Sequence, residues 1–278
     1  AAAGWSEQQV AQFRGLLQAE ITENAVEVFF WSPAKFDFVP GPPSGELFGD
    51  DYGVVLDVNS LIMEAARRRD HWEMIHKVIA TPDDVFTGSP PLAFTFGLGG
   101  LLVFPLRIGA ATLLVERPSP EALLDVVEKH RPTVLFTAPT SYRAMALACA
   151  GRDLASLRKC VSAGEALPAA TRKLWKDATG IEMIDGIGST ELLHIFISHD
   201  EAHARPGATG TAVPGYTACV LDDDLQPLPP GRVGRLAVKG PTGCRYLADE
   251  RQRNYVQAGW NLTGDAYLQD ADGFFVYQ

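Results

Sequence analysis

Residues 184–196 read Ile184-Asp185-Gly186-Ile187-Gly188-Ser189-Thr190-Glu191-Leu192-Leu193-His194-Ile195-Phe196. The apolar residues Ile181, Met183 and Ile184 predict a short buried strand that breaks at Asp185-Gly186, turns again at Gly188 and then presents Ser189, Thr190 and Glu191 in succession. A buried strand opening into a glycine-punctuated loop is where α/β sheets place ligands, because glycine lets backbone and phosphate approach closely. Two hydroxyls beside a carboxylate suit a phosphate with its Mg2+, an ion that takes hard oxygen ligands. Alone, the stretch leaves two readings open: a phosphate-holding loop, or an ordinary strand-to-loop turn with a solvated Glu191.

Working outward, the segment from about Thr81 to Ser198 alternates strand and helix. Residues 111–115, 133–136 and 159–162 read as strands, and 94–100 as a Gly-rich loop followed by an apolar segment. Ser119 is placed to cap a helix carrying Leu123, Leu124 and Val127; Tyr142 to Ala150 and Pro168 to Thr179 read as two more, stopped at Gly151 and Gly180. Such alternation predicts an α/β fold, a mostly parallel sheet with flanking helices. From about Arg205 to Gln278 helical spacing disappears. Short runs at 218–221, 235–238 and 274–277 alternate with turns, predicting a small β-rich, barrel-like subdomain. In residues 1–80 the patterns predict helices over about 6–20 and 61–78 and strands near 26–31 and 54–58, with no chemical motif; His71 and His76 are read as surface or helix-end residues.

The chain has 278 residues, 46% apolar and 21% charged, enough for a substantial core. Its net charge of −10 argues against a broad nucleic-acid footprint. Cys149, Cys160, Cys219 and Cys244 form no C-x-x-C pair and read as reduced thiols; with no basic-then-apolar leader at the start, the expectation is a cytoplasmic protein. The uncharged run 90–106 contains Pro90, Pro91, Pro105 and three glycines and falls short of the ~20 apolar residues of a membrane span, so it reads as core rather than membrane.

Several familiar signatures fail letter by letter. A G-x-G-x-x-G fingerprint would need glycine where Leu102 or Glu191 stands, Ser189 is not in a G-x-S-x-G elbow, and no GxxxxGK[ST] loop occurs. His199-Asp200-Glu201-Ala202-His203 is neither zinc motif order and is expected to be an exposed turn. What survives is convergence. In a parallel sheet the loops after Phe136, Ser162 and Ile184 are neighbours, bringing Thr137-Ala138-Pro139-Thr140 and Ala163-Gly164-Glu165-Ala166 beside 185–191. Further on, Asn261-Leu262-Thr263-Gly264-Asp265 offers a carboxylate suited to two adjacent ribose hydroxyls.

With these segments in hand, the chain from about Thr81 resembles the adenylate-forming superfamily of acyl- and aryl-CoA synthetases, most of all the benzoate- and 2-aminobenzoate-CoA ligases. S-A-G-E-A-L-P at 162–168, D-G-I-G-S-T-E-L-L-H-I-F at 185–196, G-R-V-G-R-L-A-V-K-G-P at 231–241 and G-W-N-L-T-G-D-A-Y at 259–267 carry the resemblance. It implies a two-step ligase: an aromatic carboxylate attacks the α-phosphate of ATP, giving an acyl-adenylate and pyrophosphate, and the CoA thiol displaces AMP. It further implies that Gly164, Glu165 and Ala166 border the adenine, that Asp185, Gly186, Ile187 and Gly188 flank the nucleotide, and that Asp265 holds the ribose. Thr190 would contact the α-phosphate and Glu191 would hold Mg2+, these two being the catalytic pair. Thr95, Phe96, Phe104, Ile187 and His194 would line the aryl slot, Thr95 marking an amino- or hydroxy-substituted benzoate. No membrane or nucleic-acid partner is implied.

The resemblance has gaps. Residues 1–80 show nothing like the family's Pro-Lys-Gly phosphate loop, and the small C-terminal domain with its catalytic lysine is not expected in this chain. Little turnover by this polypeptide alone follows from that reading. An incomplete fragment, or a non-catalytic module that binds an aryl acid or adenylate, stays open as the alternative, as does self-association through an apolar face that the family's first subdomain would cover.

Overall fold

The computed structural model describes residues 80–240, 242–243, 245–246 and 250–278, together with the short strands Phe30–Trp31, Phe38–Val39 and Val54–Val55. The helices expected over 6–20 and 61–78, with His71 and His76, and Cys244 lie outside the described residues.

Seven strands form the first sheet: β1 (Val85–Gly88), β2 (Ala111–Leu113), β3 (Val134–Thr137), β4 (Lys159–Ser162), β5 (Ile184–Gly188), β6 (Ile195–Ser198) and β7 (Thr211–Ala212). Their order is β7-β6-β5-β4-β3-β1-β2. The five strands from β5 to β2 run parallel, whereas β6 and β7 are antiparallel to their neighbours. The sheet is therefore mixed, its parallel part being the one that the α/β alternation foretells.

Both faces are covered, which is why its strands read as continuous apolar runs. Leu135 and Cys160 point to a core built with helices α2 (Pro120–His130), α3 (Pro139–Ala148) and α4 (Ala169–Thr179), where Leu123, Leu124, Val127, Tyr142, Met145 and Trp175 are buried. Val134, Phe136 and Val161 face the other way, into a core with Leu101, Phe104, Val220 and Leu236. The capping signals act as read: the Ser119 hydroxyl accepts from the Ala122 N–H at 3.1 Å, and Gly180 ends α4 at φ 76°.

Helix α1 corrects an expectation. Residues 94–100 are not a loop: Thr95–Gly97 is α-helical, Leu98–Val103 is π-helical, and Phe104–Ile108 is α-helical again, one continuous element ending at Gly109. Pro105 would break a regular α-helix, lacking an N–H and crowding the carbonyl four residues back. The wider π-turn, in which the Phe104 N–H reaches the Gly99 carbonyl, takes that proline without a break. Among the described residues, no helix is long and apolar enough to cross a membrane.

A second correction concerns the opening stretch. The strand does not break at Asp185-Gly186 but runs to Gly188, paired with β6, and the Ser198 hydroxyl donates to the Asp185 carbonyl at 2.6 Å. Backbone pairing outweighs the turn preference of the Asp-Gly dipeptide.

The β-rich region is a five-stranded antiparallel sheet: β8 (Thr217–Leu221), β9 (Val233–Lys239), β10 (Val256–Gln257), β11 (Trp260–Gln269) and β12 (Phe275–Tyr277), ordered β8-β9-β11-β10 with β12 also on β11. A bulge between Arg235 and Ala237 curls it. The two sheets are hydrogen-bonded to each other: the Phe275 N–H donates to Gly210 O at 2.7 Å and the Thr209 N–H to Phe275 O at 2.9 Å, beside the β6–β7 pairing.

Candidate functional site

A cleft of about 420 Å³ opens at the carboxyl ends of β1, β3, β4 and β5. That is the size of a small-molecule site, in the place where open α/β sheets bind ligands. Four loops and a helix end build it, the β3–α3 loop through Ala138. The β4–α4 loop contributes Ala163, Gly164 and Glu165; the β5–β6 loop contributes Gly188, Ser189, Thr190 and His194, with Ile195 just beyond; the start of α1 contributes Thr95 and Phe96; the β1–α1 loop contributes Ser89, Pro90, Pro91 and Phe94.

Hydrogen bonds tie these loops together. The Glu165 carboxylate accepts from the Thr140 hydroxyl at 3.0 Å and its N–H at 3.3 Å, so it also caps the first turn of α3. The Ser89 and Thr137 hydroxyls are 2.5 Å apart. In the β5–β6 loop the Ser189 hydroxyl accepts from the Leu192 N–H at 3.3 Å, and Leu193 takes the left-handed backbone at φ 72° although its side chain is buried. The Tyr246 hydroxyl donates to Glu191 Oε1 at 2.8 Å, and the Tyr255 hydroxyl, at the end of the short helix α5 (Arg251–Tyr255), lies 3.5 Å from Ser189 Oγ.

The apolar end is a stack of rings. The His194 imidazole is buried, edge-on to Phe104 at 4.9 Å and tilted against Phe96 at 5.7 Å; Phe96 in turn leans on Phe136. Burial pushes His194 down to about 3, with the Phe96 carbonyl opposing only in part, so the ring is neutral at ordinary pH. Since a carbonyl only accepts, the 3.3 Å contact to Phe96 O puts the imidazole proton on Nε2.

Of the residues singled out in the sequence, Thr95, Phe96, Gly164, Glu165, Gly188, Thr190 and His194 meet at this cleft. Phe104 sits behind His194 rather than on the wall, and Ile187 is half-buried in the core beside the loop. Ala166 is exposed next to Glu165, and Gly186 packs on Ile195. Glu191 is half-buried under Tyr246.

Asp185 is deeply buried in β5, and burial raises its carboxyl to about 7 against the opposing Arg172 charge. Its surroundings are unusual. Arg172 Nη2 and the Asp185 N–H both donate to His199 Nε2, at 3.0 and 3.2 Å, while His199 Nδ1–H donates to the Asp200 carbonyl at 2.8 Å, so His199 is a neutral Nδ1–H tautomer. His199 is thus buried and Asp200 and Glu201 half-buried, correcting the expected exposed turn, of which only Ala202 and His203 are exposed.

Asp265 is half-buried in mid-strand of β11. Gly264 before it has φ 86°, a conformation that side chains resist, and Asp265 follows on the same face of the strand as the buried Tyr267. Tyr267, on the same strand, has its phenol pushed up by burial, against the hydrogen bond to the Thr209 hydroxyl at 3.2 Å and with Asp265 and Asp185 adding to the rise.

Sequence reasoning missed the Ser89-Pro90-Pro91 wall and Tyr246. The first had a signal, a Ser-Pro-Pro turn after the short run at 85–88. The second had none, because 55 residues separate Tyr246 from Glu191.

Known proteins resemble this arrangement. The family model described as AMP-binding enzyme matches residues 50–246, beginning well before Thr81. A benzoate–CoA ligase of Thauera aromatica is 35% identical over 74% of this chain and 42% of its own length; an anthranilate–CoA ligase of Pseudomonas aeruginosa is 36% identical over 67% and 36%. Among solved structures, the anthranilate CoA ligase AuaEII in complex with anthranoyl-AMP superposes with a TM-score of 0.71 at 38% identity, over 76% of this chain and 42% of that one. A benzoate CoA ligase from Burkholderia xenovorans LB400 gives 0.71 at 32%, over 86% and 51%. The chain spans about two fifths of the length of the curated relatives it matches. With a family match over most of its length, and with solved relatives of the same fold at 38% and 32% identity, this chain belongs to the AMP-binding enzymes.

Proposed function

We propose that the cleft holds an aryl-adenylate, as part of an ATP-dependent ligase that activates a benzoate-type acid and passes it to CoA. One observation carries the reading: a single cleft joins a polar loop bearing Ser189 and Thr190 to a wall of Phe96 and the neutral His194. An adenylate has that polarity, a charged phosphate between a sugar and an acyl group.

In this reading residues 81–204 form the nucleotide-facing α/β subdomain and 205–278 the β-rich one. Glu165 and Gly164 border the base, Asp265 accepts from the ribose hydroxyls, and the exposed Thr190 hydroxyl donates to the α-phosphate, where charge builds during acyl transfer. Phe96 and His194 exclude water from the aryl ring, and Thr95 offers one hydrogen bond to a ring substituent. Glu191 fits a Mg2+ role by its chemistry: its carboxylate, held by the Tyr246 hydroxyl at 2.8 Å, follows the cleft-lining Thr190 in sequence and offers hard oxygen. That suits an ion held by one carboxylate plus phosphate oxygens and water. When bound, the ion would neutralise phosphate charge.

Calorimetry with ATP and with a nonhydrolysable aryl-adenylate mimic tests the proposal. The chain should bind the mimic, and Asp265→Ala should weaken it by on the order of tenfold or more, the loss of a charge-assisted pairing. Absence of mimic binding by the unaltered chain would overturn the reading.

A further inference from the structure

The loop after β5 is gripped by side chains that come from the β-rich region. Ser189 Oγ lies 3.5 Å from the Tyr255 hydroxyl, and Glu191 Oε1 accepts from the Tyr246 hydroxyl at 2.8 Å. The Leu192 carbonyl accepts from the Thr242 hydroxyl at 2.7 Å, and the Tyr216 hydroxyl lies 2.5 Å from that of Thr242. The contacts at Ser189 and Leu192 hold the loop on either side of Glu191; the bond from Tyr246 holds its carboxylate.

Tyr246 is itself fixed from several directions. Its N–H donates to Gln252 Oε1 at 2.6 Å, its ring meets Tyr255 edge-on with centroids 5.9 Å apart, and the Arg251 guanidinium stands over it at 5.3 Å. Arg245-Tyr246 also pairs antiparallel with Val54–Val55, Val54 lying opposite Tyr246. A strand from much earlier in the chain is therefore paired with the residue that holds Glu191.

We propose that Tyr246 is a positioning residue for metal binding, its hydroxyl fixing Glu191 Oε1 so that the carboxylate takes Mg2+ through Oε2 in one preset orientation. This rests on the aryl-adenylate reading above, in which Glu191 receives the ion, and adds the group that aims it. A glutamate has several torsions to fix when it takes a metal, and a bond already made to one oxygen fixes them in advance. Where a single carboxylate, phosphate oxygens and water make up the shell, that preparation falls on one side chain. Tyr246 acts through Glu191 and touches neither ion nor nucleotide.

Calorimetry of ATP binding across a Mg2+ titration, with an EDTA-treated series beside it, tests this without any turnover. Tyr246→Phe removes the hydroxyl and keeps the ring against Tyr255 and Arg251. It should raise the Mg2+ concentration that half-saturates the gain in ATP affinity by on the order of tenfold, the scale of losing a hydrogen bond to a metal ligand. ATP without metal, and a benzoyl-sulfamoyl adenosine mimic without metal, should bind as they do to the unaltered chain. In a Glu191→Gln background the same substitution should have no further effect on the Mg2+ requirement.

An unchanged Mg2+ requirement, a lowered one (the phenol then competing with the ion), an equal loss for the metal-free ligands, or an undiminished effect without the Glu191 carboxylate would each overturn the inference. So would failure of Tyr246→Phe to fold: ring and backbone pairing are kept, so the hydroxyl would then serve the fold. If neither ATP nor the mimic binds the unaltered chain, the aryl-adenylate reading falls and takes this inference with it. If both bind but Mg2+ does not strengthen ATP, the metal role of Glu191 and this inference fall while the adenylate reading stands. If Mg2+ strengthens ATP equally in Tyr246→Phe, only the assignment of Tyr246 falls.

Discussion

Asp185 carries an expectation drawn from its motif and a setting drawn from the sheet. Its place in the opening motif suggested a group facing a nucleotide; its side chain is instead enclosed near Arg172 and Tyr267, with His199 accepting from its backbone. A carboxyl raised from 3.8 to about 7 favours the protonated form in the folded state. Its contribution to stability is therefore fully present below about pH 4 and is lost as pH rises through about 7. Asp185→Asn should leave the melting temperature near that of the unaltered chain at pH 5 and raise it at pH 8, where the native side chain must be buried as an anion; melts at the two pH values check this. Burial is a property of the assembled sheet, and no letter pattern around Asp185 reveals it. Gly164, Glu165, Thr190, Thr95 and His194 were legible because their segments follow apolar runs, and strand ends in a parallel sheet converge.

The elements divide into those that shape the cleft and those that hold the opposite edge of the sheet. At that far edge, just before β1, Asp84 receives the Arg158 Nε–H at 2.6 Å and the Thr133 hydroxyl at 2.7 Å, joining the starts of β1, β3 and β4. Burial alone would raise this carboxyl; the Arg158, Thr133 and Thr81 hydrogen bonds overcome it and hold Asp84 at about 2. Its stabilising effect is present above about pH 4 and is lost as pH falls through about 2. Asp84→Asn should cost about 2 kcal/mol by removing the charge from its hydrogen bonds with Arg158 and Thr133 and should leave mimic affinity unchanged, a split read by chemical denaturation beside calorimetry. The helices α2 and α4 were legible from caps and spacing. Helix α1 was not, because three glycines and Pro105 imitate a loop, and only packing against Phe136 and His194 shows why a π-turn forms there. Strand β1 was missed for a different reason: four residues carry too little periodicity to stand out.

For the molecule as a whole, both fold classes were visible in the order of patterns, α/β giving way to β, but the junction between them was not. Thr209, Gly210 and Phe275 carry the hydrogen bonding of the first sheet across to the second. Such a weld has a mechanical meaning. Two plates joined by a bridge of two backbone hydrogen bonds over a shared apolar core resist bending at their seam, so ligand entry has to be accommodated by the rim of the cleft. Amide hydrogen exchange should then slow on mimic binding in loops 163–168 and 189–194 while the amides of Thr209 and Phe275 exchange at unchanged rates; slowing at the weld as well would show that the sheets shift against each other. The rigidity also separates two kinds of change open to this scaffold: residues on the rim can vary which acid is held, whereas a residue in the seam can alter the site only by loosening everything around it.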